Sequence, residues 1–140
     1  NCLGVITVGA TDRDGKQTSY TNYGKKLTIA APGGDSDDKK DKDTNKKKKR
    51  SISKNESNTI LSLAGPGEYQ FLEGTSMAAP HVTGVVALMY SLNNKLTHKE
   101  VVKYLQDGAR GNVMGVGLLD AKKTLELVQG EESEETPEDD

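Results

Sequence analysis

The sequence predicts an α/β fold. Two short runs rich in β-branched residues lack polar alternation, and from Gly74 onward apolar residues recur at helical spacing. The first pattern is that of strands buried on both faces, and the second is that of helices with an apolar stripe. A length of 140 residues suits one domain with one modest core.

Residues 4–10, GVITVGA, read as the first buried strand, and residues 11–15, TDRDG, supply turn chemistry through Asp12, Asp14 and Gly15. Residues 27–31, LTIAA, read as a second strand, stopped by Pro32, Gly33 and Gly34. Over residues 35–58 Asp, Lys, Ser and Asn dominate, and 46–50 is an unbroken basic block. Such a stretch buries too little apolar surface to offset its ordering entropy, so a charged, flexible surface insertion is expected. The spacing of Asp41, Asp43 and Asn45 invites a calcium-loop reading. That reading fails, because Lys46 stands where the sharp turn needs Gly and Ile52 where a bidentate Glu is required.

Residues 59–64 and 69–72 flank the turn Gly65-Pro66-Gly67 and read as a hairpin. Val82, Val85, Val86, Met89 and Leu92 then form one stripe of a helix ending near Asn93 and Asn94. Thr97 and Glu100 make a capping box for the next helix, with Val101, Val102 and Leu105 facing inward and Gly108 as its stop. A third helix is expected after Gly117, using Leu118, Leu119, Ala121, Leu125 and Val128. The acidic, proline-containing tail over 131–140 is expected to be disordered.

A formal charge of -2 gives no overall basic field for nucleic acid or a membrane surface. No apolar stretch approaches the roughly 18 residues needed to span a bilayer. Neither nucleic acid nor membrane is therefore expected as a partner. The single Cys2 cannot form a disulfide within the chain, and is either a small buried residue or half of a bridge to other sequence. The chain starts at Asn1 almost directly before an apolar run, so a piece of a longer protein is expected.

The chemistry concentrates in residues 74–84, GTSMAAPHVTG. A Ser at a helix start sits among unpaired backbone N–H groups that can stabilise an oxyanion. Pro80 has no N–H to return to the carbonyl of Ser76. Gly74 permits close approach of a substrate backbone, and Ala78, Ala79 and Gly84 permit tight packing. The residue types alone also allow a plain helix start capped by Thr75 or Ser76. Other serine motifs fit badly: Ala78 stands where the nucleophile elbow of α/β-hydrolases needs Gly, and Ala79 where a β-lactamase-type motif needs Lys. His81 is no base for Ser76, since five helical residues place it roughly 140° around and about 7.5 Å along the axis. It reads as a packed, hydrogen-bonded histidine, and His98 as a solvated one.

The block GTSMAAPHVTGVVAL closely resembles the segment around the catalytic serine of the subtilisin family of serine proteases. GVITVGATDRDGKQTSYTNYG, LTIAAPGGD and GVGLLDAKKTLEL resemble other segments of that family, in order and spacing. The resemblance implies a subtilisin-like α/β fold with a mostly parallel sheet flanked by helices. This chain would hold an incomplete carboxyl-terminal portion of the peptidase domain, over residues 1–130. It implies Ser76 as catalytic nucleophile, Gly74 and Thr75 as substrate-binding residues, a polypeptide substrate, and a triad Asp and His upstream. The oxyanion Asn also belongs upstream, since Asn1 lies too close to the first strand.

The missing amino-terminal half of the same domain is thus an implied partner, and the isolated chain is expected to be poorly soluble and nearly inactive. Family members often carry an acidic residue where Thr28 stands. No cofactor or metal site is expected in this fragment, and the resemblance leaves structural calcium to the intact protein. Cys2 resembles a cysteine that some secreted bacterial members pair with one farther upstream, which implies an extracellular or periplasmic setting. A degenerate, inert relative acting as a binding or scaffold module would share every residue seen here.

Overall fold

A computed structural model describes residues 4–36 and 58–132. The expectations for Cys2, for nearly all of the insertion, and for the tail beyond Glu132 lie outside those residues.

Strand β1 spans Val8–Thr11 and β2 spans Ile29–Pro32, the two pairing in parallel with Val8 opposite Ile29 and Thr11 opposite Pro32. Both begin later than their apolar runs. β3, Ile60–Gly65, and β4, Glu68–Leu72, form the expected antiparallel hairpin. Its large residues Leu61, Leu63, Tyr69 and Phe71 are exposed.

Helix α1 spans Thr75–Leu92, and α2 spans His98–Gly108. The capping box of α2 is complete: Thr97 Oγ1 accepts from the Glu100 N–H, and the Glu100 carboxylate accepts from the Thr97 N–H at 2.7 Å. Val101, Tyr104 and Leu105 are buried, while Val102 is half-buried.

A second hairpin follows, β5 over Arg110–Val113 and β6 over Val116–Leu118, turning at Met114 (φ 58°) and Gly115 (φ 83°). Asn112 Oδ1 steadies the turn by accepting the Gly115 N–H at 3.1 Å. Leu118 and Leu119, expected in a helix from their spacing, lie outside it. Instead Leu118 ends β6 beside Ala30, Leu119 donates its N–H to Ala30 O at 2.8 Å, and α3 begins at Ala121. The sheet supplies backbone partners that outweigh the local apolar spacing. α3 runs to Glu132, two residues into the acidic tail.

The four-stranded sheet has the order β1-β2-β6-β5, parallel except for β5. Ala10, Ile29 and Ala31 meet Ala78, Val82, Val85 and Met89 of α1 in one core that also takes Leu105 and Val128. Each large apolar side chain so buried contributes about 1.5–3 kcal/mol. Gly108 lets α2 cross α3 closely, because a Cβ there would lie 2.5 Å from Thr124 Oγ1. The expected α/β architecture, with a mostly parallel sheet and flanking helices, is present.

Candidate active site

The start of α1 is set by backbone chemistry at the end of β2. The N–H groups of Gly33 and Gly34 both donate to Thr11 O, at 2.9 and 3.2 Å. Gly33 O accepts the Gly74 N–H at 2.9 Å, and Gly34 O accepts the hydroxyl of Tyr20. Asp35 donates its N–H to Asn58 O at 2.9 Å, and Ser36 donates its own to the Glu73 carboxylate. Residues 33–36 thus form a clip joining β1, the Tyr20 loop, the base of the insertion and the entry to α1. Gly33 must lack a side chain, since a Cβ would stand 2.7 Å from both Gly74 O and Ala10 Cβ.

Gly74 is the N-cap of α1, with φ at 149° and no side-chain cap. Neither Thr75 nor Ser76 therefore caps the helix. Gly74 O receives the N–H groups of Met77 and Ala78, at 3.0 and 3.3 Å. Among the described residues, no backbone carbonyl takes the N–H of Ser76. Gly74 suits its positive φ, and a Cβ there would make only ordinary contact with Ser76 N, at 3.8 Å. A helix N-terminus with a free N–H concentrates positive potential where a negative oxygen would be welcome.

Ser76 is exposed, and among the described residues its hydroxyl has no hydrogen-bond partner. It lines an open groove of roughly 330 Å³ with residues 60–62 of β3 and Met77, Pro80 and His81 of α1. Gly74 and Thr75 are half-buried beside it. His81 Nδ1 lies 2.9 Å from Met77 O, one turn back on its own helix. It is hydrogen-bonded as expected, yet exposed rather than packed, because nothing among the described residues covers that face of α1. His98 is exposed at the first position of α2.

No group of three or more His, Cys, Asp or Glu among the described residues is placed to hold a metal. At Thr28 the fit to a calcium ion is poor. Its Oγ1 accepts the Thr7 N–H and meets Thr7 Oγ1, both at 3.1 Å, and the adjoining pocket carries Lys25 and Lys26. Calcium sites need several oxygen ligands, usually with carboxylates among them.

Comparison with known proteins places the chain in a family. Residues 1–131 match the Subtilase family, Peptidase_S8. The chain belongs to the subtilase family. It is 31% identical over 150 aligned positions to an extracellular basic protease of Dichelobacter nodosus, covering 98% of this chain and 22% of that protein. It is 36% identical to an extracellular protease of Xanthomonas campestris pv. campestris, over 79% of this chain and 16% of that one. Among solved structures, a protease from Pseudoalteromonas arctica superposes with a TM-score of 0.71 at 31% identity, covering 91% of this chain and 37% of that one. The chain thus spans about a fifth of the length of these two curated relatives, and little more than a third of the solved one.

The helix start at residues 74–76 is legible in sequence, and His81 meets Met77 O, not Ser76. The contacts of Tyr20, Gly33, Gly34 and Glu73 around the start of α1 are not legible in the sequence. The Gly33-Gly34 pair just after a strand was a signal for close backbone approach. Tyr20 carried none, because its partner is a backbone carbonyl 14 positions away.

Proposed function

We propose that this chain contributes the nucleophile and one oxyanion donor to a secreted serine endopeptidase. The observation that carries the reading is Ser76 exposed at the start of α1, its backbone N–H open beside a groove. Ser76 Oγ attacks the scissile carbonyl of a polypeptide, and an upstream His takes its proton while an upstream Asp orients that His. The carbonyl oxygen becomes an oxyanion, which accepts from the Ser76 N–H and from an upstream Asn. Collapse expels the amine, with the His returning the proton, and leaves an acyl-enzyme that water hydrolyses. Gly74 and Thr75 flank the substrate backbone.

The upstream part of the domain supplies these missing groups and covers the exposed side of α1. The extracellular setting is carried over from the names of the relatives. Structural calcium, if the intact protein holds it, is ligated outside the Thr28 region. Among the described residues, no helix is long and apolar enough to cross a membrane.

The test is peptide hydrolysis and fluorophosphonate labelling of the full-length protein. Ser76→Ala is expected to abolish both; in subtilisin, a member of this family, loss of the serine costs on the order of 10⁶ in turnover. A full-length protein that neither cleaves peptides nor takes the label is instead an inert relative serving as a binding module. The isolated 140-residue chain is expected to be inactive.

A further inference from the structure

The helix that carries Ser76 starts on a backbone clip, and one carbonyl of that clip is held by a side chain. Four polar groups of Gly33 and Gly34 must find partners. Two N–H groups go to Thr11 O and one carbonyl to the Gly74 N–H, so three of the four are satisfied by main chain. The fourth, Gly34 O, is satisfied by the Tyr20 hydroxyl. That hydroxyl also lies against the bare face of Gly33, 3.1 Å from where a Cβ would stand. Gly33 O in turn fixes Gly74, two residues before Ser76.

We propose that Tyr20 is a positioning residue for Ser76, its hydroxyl holding the Gly33–Gly34 clip on which α1 begins. The proposal rests on reading Ser76 as the nucleophile. Tyr20 touches neither Ser76 nor a reacting atom; its leverage passes through Gly34 and Gly33, and through the Gly74 backbone that its hydroxyl also meets. Gly34 stands at φ 79°, in a conformation that nearly only glycine holds at low cost, so its carbonyl direction depends on what it bonds to. Burial raises the pKa of Tyr20, opposed by the Thr18 side chain and the Gly74 backbone and reinforced by the charges of Glu73 and Asp35. The group therefore stays a donor at neutral and mildly alkaline pH.

Glu73 supports the same clip from the other side, accepting the Ser36 N–H. It leaves the Gly34 carbonyl untouched, so it does not duplicate the work of Tyr20. Tyr23, three residues on, is 80% exposed and serves as a matched control.

The experiment is made on the full-length protein, comparing wild type with Tyr20→Phe and Tyr23→Phe. Tyr20→Phe removes one oxygen and keeps the ring, so folding is preserved. Since a 1 Å misplacement of a reacting group costs on the order of 10²-fold, a fraction of that shift should lower kcat about three- to tenfold with KM held within about twofold. The rate of fluorophosphonate labelling should fall by the same factor, and Tyr23→Phe should match wild type in both. Tyr20→Phe with unchanged kcat and labelling overturns the proposal. So does a loss carried wholly by KM, or one that tracks a fall in melting temperature, either of which would make Tyr20 a general structural residue. A wild type that neither labels nor cleaves removes the proteolytic reading itself, an outcome distinct from an active wild type with an indifferent Tyr20→Phe.

Discussion

Helices α1 and α2 lie in one core but present different outsides. The exposed side of α2 carries Lys99, Glu100, Lys103, Gln106 and Asp107, with Lys103 and Asp107 paired at 3.4 Å. α1 has no Asp, Glu, Lys or Arg anywhere from Thr75 to Leu92, and its exposed side shows Ala79, Thr83, Gly84, Ala87 and Leu88. A helix that is apolar or small all round is one that proteins bury on every side. α2 is finished as a surface helix within this chain. α1 is finished on one side only, which accords with a chain spanning little more than a third of a similar solved protease.

The sharpest way to break the contrast is to change the charge of one residue on each outer face in the full-length protein. Leu88 is 51% exposed here, so in this chain alone Leu88→Lys should be nearly silent. Covered by the upstream part, the same lysine would be an unpaired buried charge, costing several kcal/mol and detected as lost soluble, folded protein. Lys103→Ala on α2 should stay within about 0.5 kcal/mol, as an exposed pair allows. Equal tolerance at both positions in the full-length protein would show that α1 is a surface helix too.

The inner faces should not differ. Met89 of α1 and Leu105 of α2 are both fully buried, and truncating either to Ala should cost about 2–5 kcal/mol in a denaturation midpoint. A much smaller loss at Met89 would mean that α1 is held mainly from its other side.

The smallest effects belong to the cap of α2. Thr97→Ala should cost about 1 kcal/mol. Hydrogen bonds from the side chain and backbone of Thr97, with the charge of Lys103, lower the pKa of Glu100. A lowered carboxyl pKa gives stability that is present above the unfolded value of about 4.3 and lost as pH falls through the folded value. Wild type and Glu100→Gln should therefore differ at neutral pH and converge in acid. Parallel melting curves across that window would remove the carboxylate from the cap.

Where local chemistry decides, the sequence was readable. Residues spaced for one helical face gave α1 its inner stripe, and Thr97 with Glu100 gave α2 its start. The β3–β4 hairpin followed from Gly65-Pro66-Gly67 between apolar runs. Where partners lie far along the chain, it was not. β6 is three residues long and exists because Ala30 stands beside Leu118, so helical spacing in Leu118, Leu119 and Leu125 misled about where α3 begins. At the site, Ser76 could be named from its neighbours. Its support could not, since Tyr20, Gly33 and Gly74 meet only when the sheet forms.

The bond from the Asp35 N–H to Asn58 O has a bearing on how the domain tolerates change. It draws the two ends of a long excursion together before the chain reaches β3, so whatever the intervening length, the scaffold meets the same two anchor points. Closure entropy grows only slowly with length, by about 0.6 kcal/mol for each doubling. Through closure entropy alone, a moderate change in the number of residues between these two anchors should therefore disturb the Ser76 helix little.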